Sequence, residues 1–170
     1  MTTICFSLVL YKHSIECVDP LFFSILSLAR REPRLRVLLC IYDGSPCAYQ
    51  CPSEEQLRRR LYPVNVIYEK GDNLGFGRAN NRNFYSAPLG PGDLFAIVNP
   101  DIRFSADQLL PLVNWLLCCS DCACAAPLIL LEGGGIQYSA KRDPTLLSLF
   151  LGRFGWLKRV DVFRLSLIHI

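Results

Sequence analysis

Leu94-Phe95-Ala96-Ile97-Val98-Asn99-Pro100-Asp101 is the stretch on which the reading of this chain turns. Five apolar residues, set between Gly90-Pro91-Gly92 and Asn99-Pro100-Asp101, have the length and punctuation of one buried strand. The polar triplet then falls at the strand's carboxyl end, where a proline-stiffened turn holds a carboxylate. Working outward, the same pattern recurs. Residues 4–11 form a short apolar run, residues 35–42 end on Asp43-Gly44-Ser45-Pro46, and residues 64–69 lead into a loop from Gly71 to Gly77.

Helical signals separate these runs. Asp19 reads as an N-cap and Pro20 as a first-turn proline, followed by Phe22, Ile25, Leu26 and Ala29 at helical spacing until Arg30, Arg31 and Pro33. Ser53 with Gln56 makes a capping box, the segment after Gly77 runs helically to Ala87, and Ser105 caps a helix through Leu109, Leu112, Val113, Leu116 and Leu117. Residues 123–131 read as a fifth strand, with a loop at 132–137. Strand alternating with helix predicts an α/β fold, a mostly parallel sheet with helices on both faces.

The bulk numbers agree. A chain of 170 residues with 51% hydrophobic and 19% charged residues supports a packed core and excludes a disordered chain. A formal charge of +3 allows attraction to phosphates and is too small to argue for nucleic acid. The first residues, MTTICFSLVLYKHS, lack a basic leader and a cleavage site, and no uncharged run reaches membrane-spanning length, so a cytoplasmic location is expected by elimination. Nine cysteines are then expected as reduced thiols. Cys47 with Cys51, and Cys119 with Cys122 between Cys118 and Cys124, have loose zinc spacings; they read as small buried-type residues instead.

In open α/β sheets, ligands bind beyond the carboxyl ends of the strands, where Asp43, the Asn73–Asn81 segment and Asn99–Asp101 all fall. Asp101 suits a hard divalent cation, Mg2+ or Mn2+, shared with a substrate's phosphates; alone it reads equally as a turn residue or helix cap. Gly75 and Gly77 permit close backbone approach at a helix start that faces an anion, and Arg78 adds a cation. Asn80 and Asn81 stand in a helical stretch that disfavours asparagine and so need another reason to be there. Asp43 could accept hydrogen bonds from a base or ribose, or simply open an Asp-Gly turn.

The segments SLVLYKHS (7–14), IYDGSP (41–46), NLGFGRANN (73–81), VNPDI (98–102) and GGGIQYSAKRDPT (133–145) come in the order seen in family 2 glycosyltransferases. The chain resembles that inverting, GT-A family over residues 4–145, and most of all its bacterial rhamnosyltransferase-like branch. The resemblance implies a Rossmann-like GT-A core over residues 1–132, the start of an acceptor side over 133–164, and a fold incomplete at the C-terminus. It implies transfer of a sugar, rhamnose from a deoxythymidine-diphosphate donor being the branch's suggestion, to a glycan or lipid-linked acceptor in surface polysaccharide synthesis. Val9, Leu10, Tyr11 and Asp43 then match contacts to the base and ribose. Asn73, Gly75, Arg78, Asn81 and Asn99 fall on the sugar-diphosphate side. Asp101 matches the metal ligand, and Gln137, Ser139 and Arg142 the acceptor side.

Two departures qualify the likeness. The family has a small residue where this chain has Asn83, and it continues into an acidic motif that supplies the catalytic base. No counterpart follows Pro144; His13, Glu132 and Asp143 are the nearest substitutes, and none is assigned. Residues 165–170, LSLIHI, read as a non-native tail. The chain is therefore expected to be truncated and to transfer little or no sugar by itself. The stretch 146–164 mixes Leu, Phe and Trp156 with basic residues and suits either a membrane surface or packing against further chain. The competing readings are a non-catalytic nucleotide-sugar-binding fragment and a nucleotidyltransferase. The latter would carry a glycine-rich basic loop where YKHSIE stands.

Overall fold

The computed structural model describes residues 1–46, 53–131 and 133–137. The chain divides into two compact units, Met1–Ala123 and Cys124–Ile170. In the first, four strands alternate with helices: β1 Thr3–Leu10, α1 Ile15–Arg31, β2 Arg36–Asp43, α2 Glu54–Leu61, β3 Asn65–Lys70, α3 Phe76–Ser86, β4 Leu94–Val98 and α4 Ala106–Cys118. The strands lie in the order β3-β2-β1-β4, and every neighbouring pair is parallel. The unit is α/β with an all-parallel four-stranded sheet, as the alternation predicts, and is consistent with a Rossmann-like fold.

The sheet is covered on both faces, which is why β1 and β2 are apolar almost without a break. Ile4, Phe6, Leu8 and Leu10 of β1, with Val37, Leu39 and Ile41 of β2, meet Val18, Leu21, Ile25 and Leu28 of α1. Leu57 and Leu61 of α2 and Val113 of α4 complete that core. Each such side chain contributes roughly 1.5–3 kcal/mol by leaving water. The alternate positions, Cys5, Leu38 and Cys40, form a smaller cluster with Ile67, Phe95 and Leu89 on the face that α3 covers. The Cys5 and Cys40 sulfurs lie 3.5 Å apart, and that hydrogen bond together with burial pushes the Cys5 thiol far above its ordinary range.

Three expectations are corrected. First, α1 starts at Ile15, not after Asp19; Pro20 lies inside it and Ser14 is the N-cap. The missing Pro20 amide forfeits one helical bond, to the Glu16 carbonyl. Glu16 favours the earlier start: its own amide and the Ser14 hydroxyl hold its carboxyl below the usual range. Asp19 instead sits 2.7 Å from Arg60 as an ion pair. Second, the strand expected over 123–131 shrinks to β5 Ile129–Leu130, which pairs antiparallel with β6 Ile136–Gln137 in the second unit. Pro127 removes an amide from the would-be strand, while the Gly133–Gly135 turn, with Gly134 at φ 78°, reverses the chain onto itself. Third, the cysteines are not uniformly interior. Cys5 and Cys40 are buried, but Cys17, Cys118 and Cys124 are exposed. Among the described residues no three or more His, Cys, Asp or Glu side chains gather into a group that could hold a metal ion.

Cys47, Cys51, Glu132, Ser139, Arg142, Asp143 and residues 146–170 lie outside the described residues, as does the side chain of Gln137, whose backbone belongs to β6. No helix among the described residues is long and apolar enough to cross a membrane.

The amino-terminal edge of the sheet is closed by one carboxylate. Asp93 accepts the Thr3 amide at 2.7 Å and the Gly90 amide at 2.9 Å, and these amides hold its carboxyl below the usual aspartate range. A depressed folded-state pKa means the contribution is complete above the unfolded value of about 3.9 and is lost as pH falls through the folded value. Urea titrations should therefore find Asp93→Asn less stable than the parent at pH 7, with the gap closing below about pH 4. A gap of the same size at pH 3 would remove this assignment.

The carboxyl edge as a candidate ligand site

Because all four strands run the same way, the segments that follow them emerge along one edge. Within it, β1 continues to β2 and β3 on one side while β4 lies on the other, so the topological switch falls between β1 and β4. Leu10 pairs with Asp43 and Asp43 with Lys70, so those three strands end level; Val98 pairs with Leu8. Asp43 and the end of β4 are two strands apart, about 10 Å at ordinary strand spacing. Asp43, Asn73 and Asp101 thus follow strands on the same rim, as the sequence implies.

The loops after β1, β2 and β3 are laced together. The Gly44 amide donates to the Leu10 carbonyl at 2.9 Å, and the Lys12 amide to Ser45 Oγ at 2.8 Å. Lys12 takes a left-handed φ of 57°, a conformation that costs a non-glycine residue about 1 kcal/mol or more. The Tyr42 hydroxyl donates to the Asp72 carbonyl at 2.8 Å. Its phenol is held above the ordinary range, by burial first and then by the carboxylates of Glu69 and Asp72. At Gly44 a Cβ would stand 3.1 Å from the Asn73 Cα, so only glycine lets the second and third loops touch without displacing backbone.

Asp43 serves this lacing. Sequence reading set its side chain against a base or ribose; here the residue has 0% exposure. One carboxylate oxygen accepts the Ser45 amide and the other the Tyr68 hydroxyl, each at 2.9 Å. The side chain faces protein because β2 extends one residue further than expected and draws Asp43 into the sheet. Of its predicted companions, Val9 is half-buried and Leu10 buried, both paired in the β1–β2 ladder, while the Tyr11 ring is exposed beneath the Lys12 ammonium at 5.1 Å. The Tyr11 amide donates to His13 Nδ1 at 3.1 Å, so the ring's other nitrogen carries the proton when His13 is neutral.

The third loop ends in an open helix start. Asn73 Oδ1 accepts the Gly75 amide at 3.0 Å, turning the chain so that Gly75, at φ 74°, becomes the N-cap of α3. No side chain caps the amides that follow, and no acidic residue lies in the first turn. The other three helices carry Glu16, Glu54 with Glu55, and Asp107 there. An uncapped turn with an exposed Arg78 on it favours an anion. Asn81 is exposed on the same helix; Asn80 and Asn83 turn inward.

Beyond β4, Asn99 and Asp101 are exposed on either side of half-buried Pro100. Among the described residues Asp101 makes no hydrogen bond or ion pair and belongs to no group of three or more metal-ligating side chains, so a cation held there would draw its other ligands from water and phosphate. The parts that Ser45, Tyr68 and Lys12 play around Asp43 escaped sequence reading; the only signal was that Ser45 follows the Asp-Gly turn. Compared with family models and with curated proteins, this chain matches none.

Proposed function

We propose that this chain is the donor-binding part of an inverting glycosyltransferase of the GT-A type and binds a nucleoside-diphosphate sugar. The observation that carries the reading is the placement of three polar segments around one topological switch: the laced loops with Tyr11, the uncapped start of α3 with Arg78, and Asn99–Asp101. The exposed Tyr11 ring offers a face for a base, and Asp43 shapes the loop beside it without touching the ligand. The first-turn amides of α3 and Arg78 meet the diphosphate. Asp101 would hold Mg2+ or Mn2+, which when bound offsets the charge that grows on the departing diphosphate.

In the transfer, an acceptor hydroxyl oxygen bonds to the anomeric carbon, and the bond from that carbon to the diphosphate oxygen breaks with its electron pair. The hydroxyl proton passes to a carboxylate on the acceptor side; the described residues are assigned to donor binding alone. Arg78 and the α3 amides act on the leaving diphosphate, where charge develops. The acceptor would be a glycan or lipid-linked sugar, and rhamnose remains the donor sugar that the sequence resemblance favours.

Calorimetry with uridine and deoxythymidine diphosphates, their sugar conjugates and the bare nucleosides tests the reading. A Kd of about 100 µM or tighter is expected for a diphosphate with manganese, within the range of enzyme substrates. Binding of none of these compounds would end the proposal.

A further inference from the structure

On the face of the sheet that α3 covers, the helix is held mainly by polar groups. Its buried residues are Ala79, Asn80 and Asn83, whereas α1 buries Val18, Leu21, Phe22, Ile25 and Leu28. Ser7, fully buried at the centre of β1, is the hub. Its hydroxyl donates to Asn80 Oδ1 at 2.6 Å and accepts from Asn83 Nδ2 at 2.9 Å. Asn83 Nδ2 also lies 3.2 Å from the carbonyls of Leu8 and Cys40, and Asn80 Nδ2 donates to the Phe76 carbonyl at 2.9 Å.

An unbroken chain of hydrogen bonds thus runs from two adjacent strands to the first residue of α3. Apolar contacts tolerate sliding; directional bonds between buried groups do not, because a shift leaves them unpaired at a cost that low dielectric enlarges. Three buried polar side chains in a place that leucine or alanine could fill are therefore a device for fixing position. Outside the network, Arg82 bridges to both Glu69 carboxylate oxygens at 3.0 Å, but on the exposed surface, where such a pair is weak.

We propose that Ser7, Asn80 and Asn83 are positioning residues that set the depth and rotation of α3, so that its first-turn amides meet the diphosphate of the ligand. This rests on the donor-binding reading above. Asn83 anchors the helix directly to both strands. The ligand touches none of the three.

Two measurements on the full 170-residue chain decide it. In the ligand-free state, hydrogen exchange at the Ala79 amide, which closes the first turn on the Gly75 carbonyl at 3.1 Å, should quicken in Ser7→Ala and in the milder Asn80→Ala. An increase of about tenfold is expected, with the amides of α4 unchanged. In calorimetry, the same variants should lose about tenfold in affinity for a nucleoside diphosphate while binding the bare nucleoside as the parent does. Val113→Ala, a core change in α4, should lower stability and leave both affinities alone, which separates positioning from general weakening. Unchanged exchange at Ala79 overturns the proposal, as does an equal loss for nucleoside and diphosphate. A parent that binds neither compound sinks the donor-binding reading and this inference with it; that result is read on the parent alone, whereas the inference fails by itself only against a parent that binds.

Discussion

Replacing Asp43 by alanine is expected to destabilise the fold by about 3–5 kcal/mol, since among the described residues its carboxylate accepts two hydrogen bonds, each strengthened by the charge. The loss is large because Asp43 is at 0% exposure and Ser45 is buried too, so removing the carboxylate leaves the Ser45 amide without its acceptor inside the protein. Against a typical total of about 5–15 kcal/mol, roughly a fifth or more of the stability would go. Urea unfolding measures this directly. Tyr68→Phe removes one hydrogen bond to the carboxylate and should cost less, about 1.5–3 kcal/mol. Nucleotide affinity should fall in Asp43→Ala as well, because the Gly44–Ser45 loop that it holds is bonded to Lys12 and packed on Asn73. An Asp43→Ala chain of parental stability with lowered nucleotide affinity would show the reverse of what the geometry argues, a ligand contact in place of an internal brace.

Asp101→Ala should behave in the opposite way. Its side chain is exposed and bonded to nothing among the described residues, so stability should stay within about 0.5 kcal/mol of the parent. Donor binding in manganese should drop by about a hundredfold, to the value measured without the metal, since a single carboxylate is the protein's share of the cation's ligands. Calorimetry of the sugar nucleotide with and without manganese, on both chains, reads the effect. Equal affinities throughout would remove Asp101 from the site. The pair of variants separates two aspartates that look alike in sequence, each at a strand end and before a turn.

That contrast marks what the sequence could and could not show. Strands reveal themselves through unbroken apolar runs, and both capping boxes, Ser53 with Gln56 and Ser105 with Gln108, form as read because their partners are three residues apart. The direction of the sheet followed from alternation, and with it the common rim of the three polar segments. Long-range pairing leaves no such local trace. Nothing near Asp43 announces Tyr68, and nothing near Asn83 announces Ser7, which is 76 residues away. Asn80 and Asn81 are equally awkward in a helix on propensity grounds; only the helix's rotation on the sheet decides that the first is buried and the second is not. The helix that begins at Ile15 was missed for a different reason. A proline is a strong boundary signal, yet α1 begins more than a turn before Pro20 and gives up one helical bond there.

A sheet whose strands all point one way has two unlike rims, and here the bonding differs accordingly. The rim where the strands begin is stitched by backbone and by Asp93, from Thr3 to Gly90 and from Arg36 to Thr2. The rim where they finish keeps backbone bonds, Gly44 to Leu10 and Gly71 to Asp43, but adds exposed side chains of varied chemistry. Substitution at the exposed positions of the second leaves the first to keep the strands in register, so one molecule has a fixed keel and an adaptable deck.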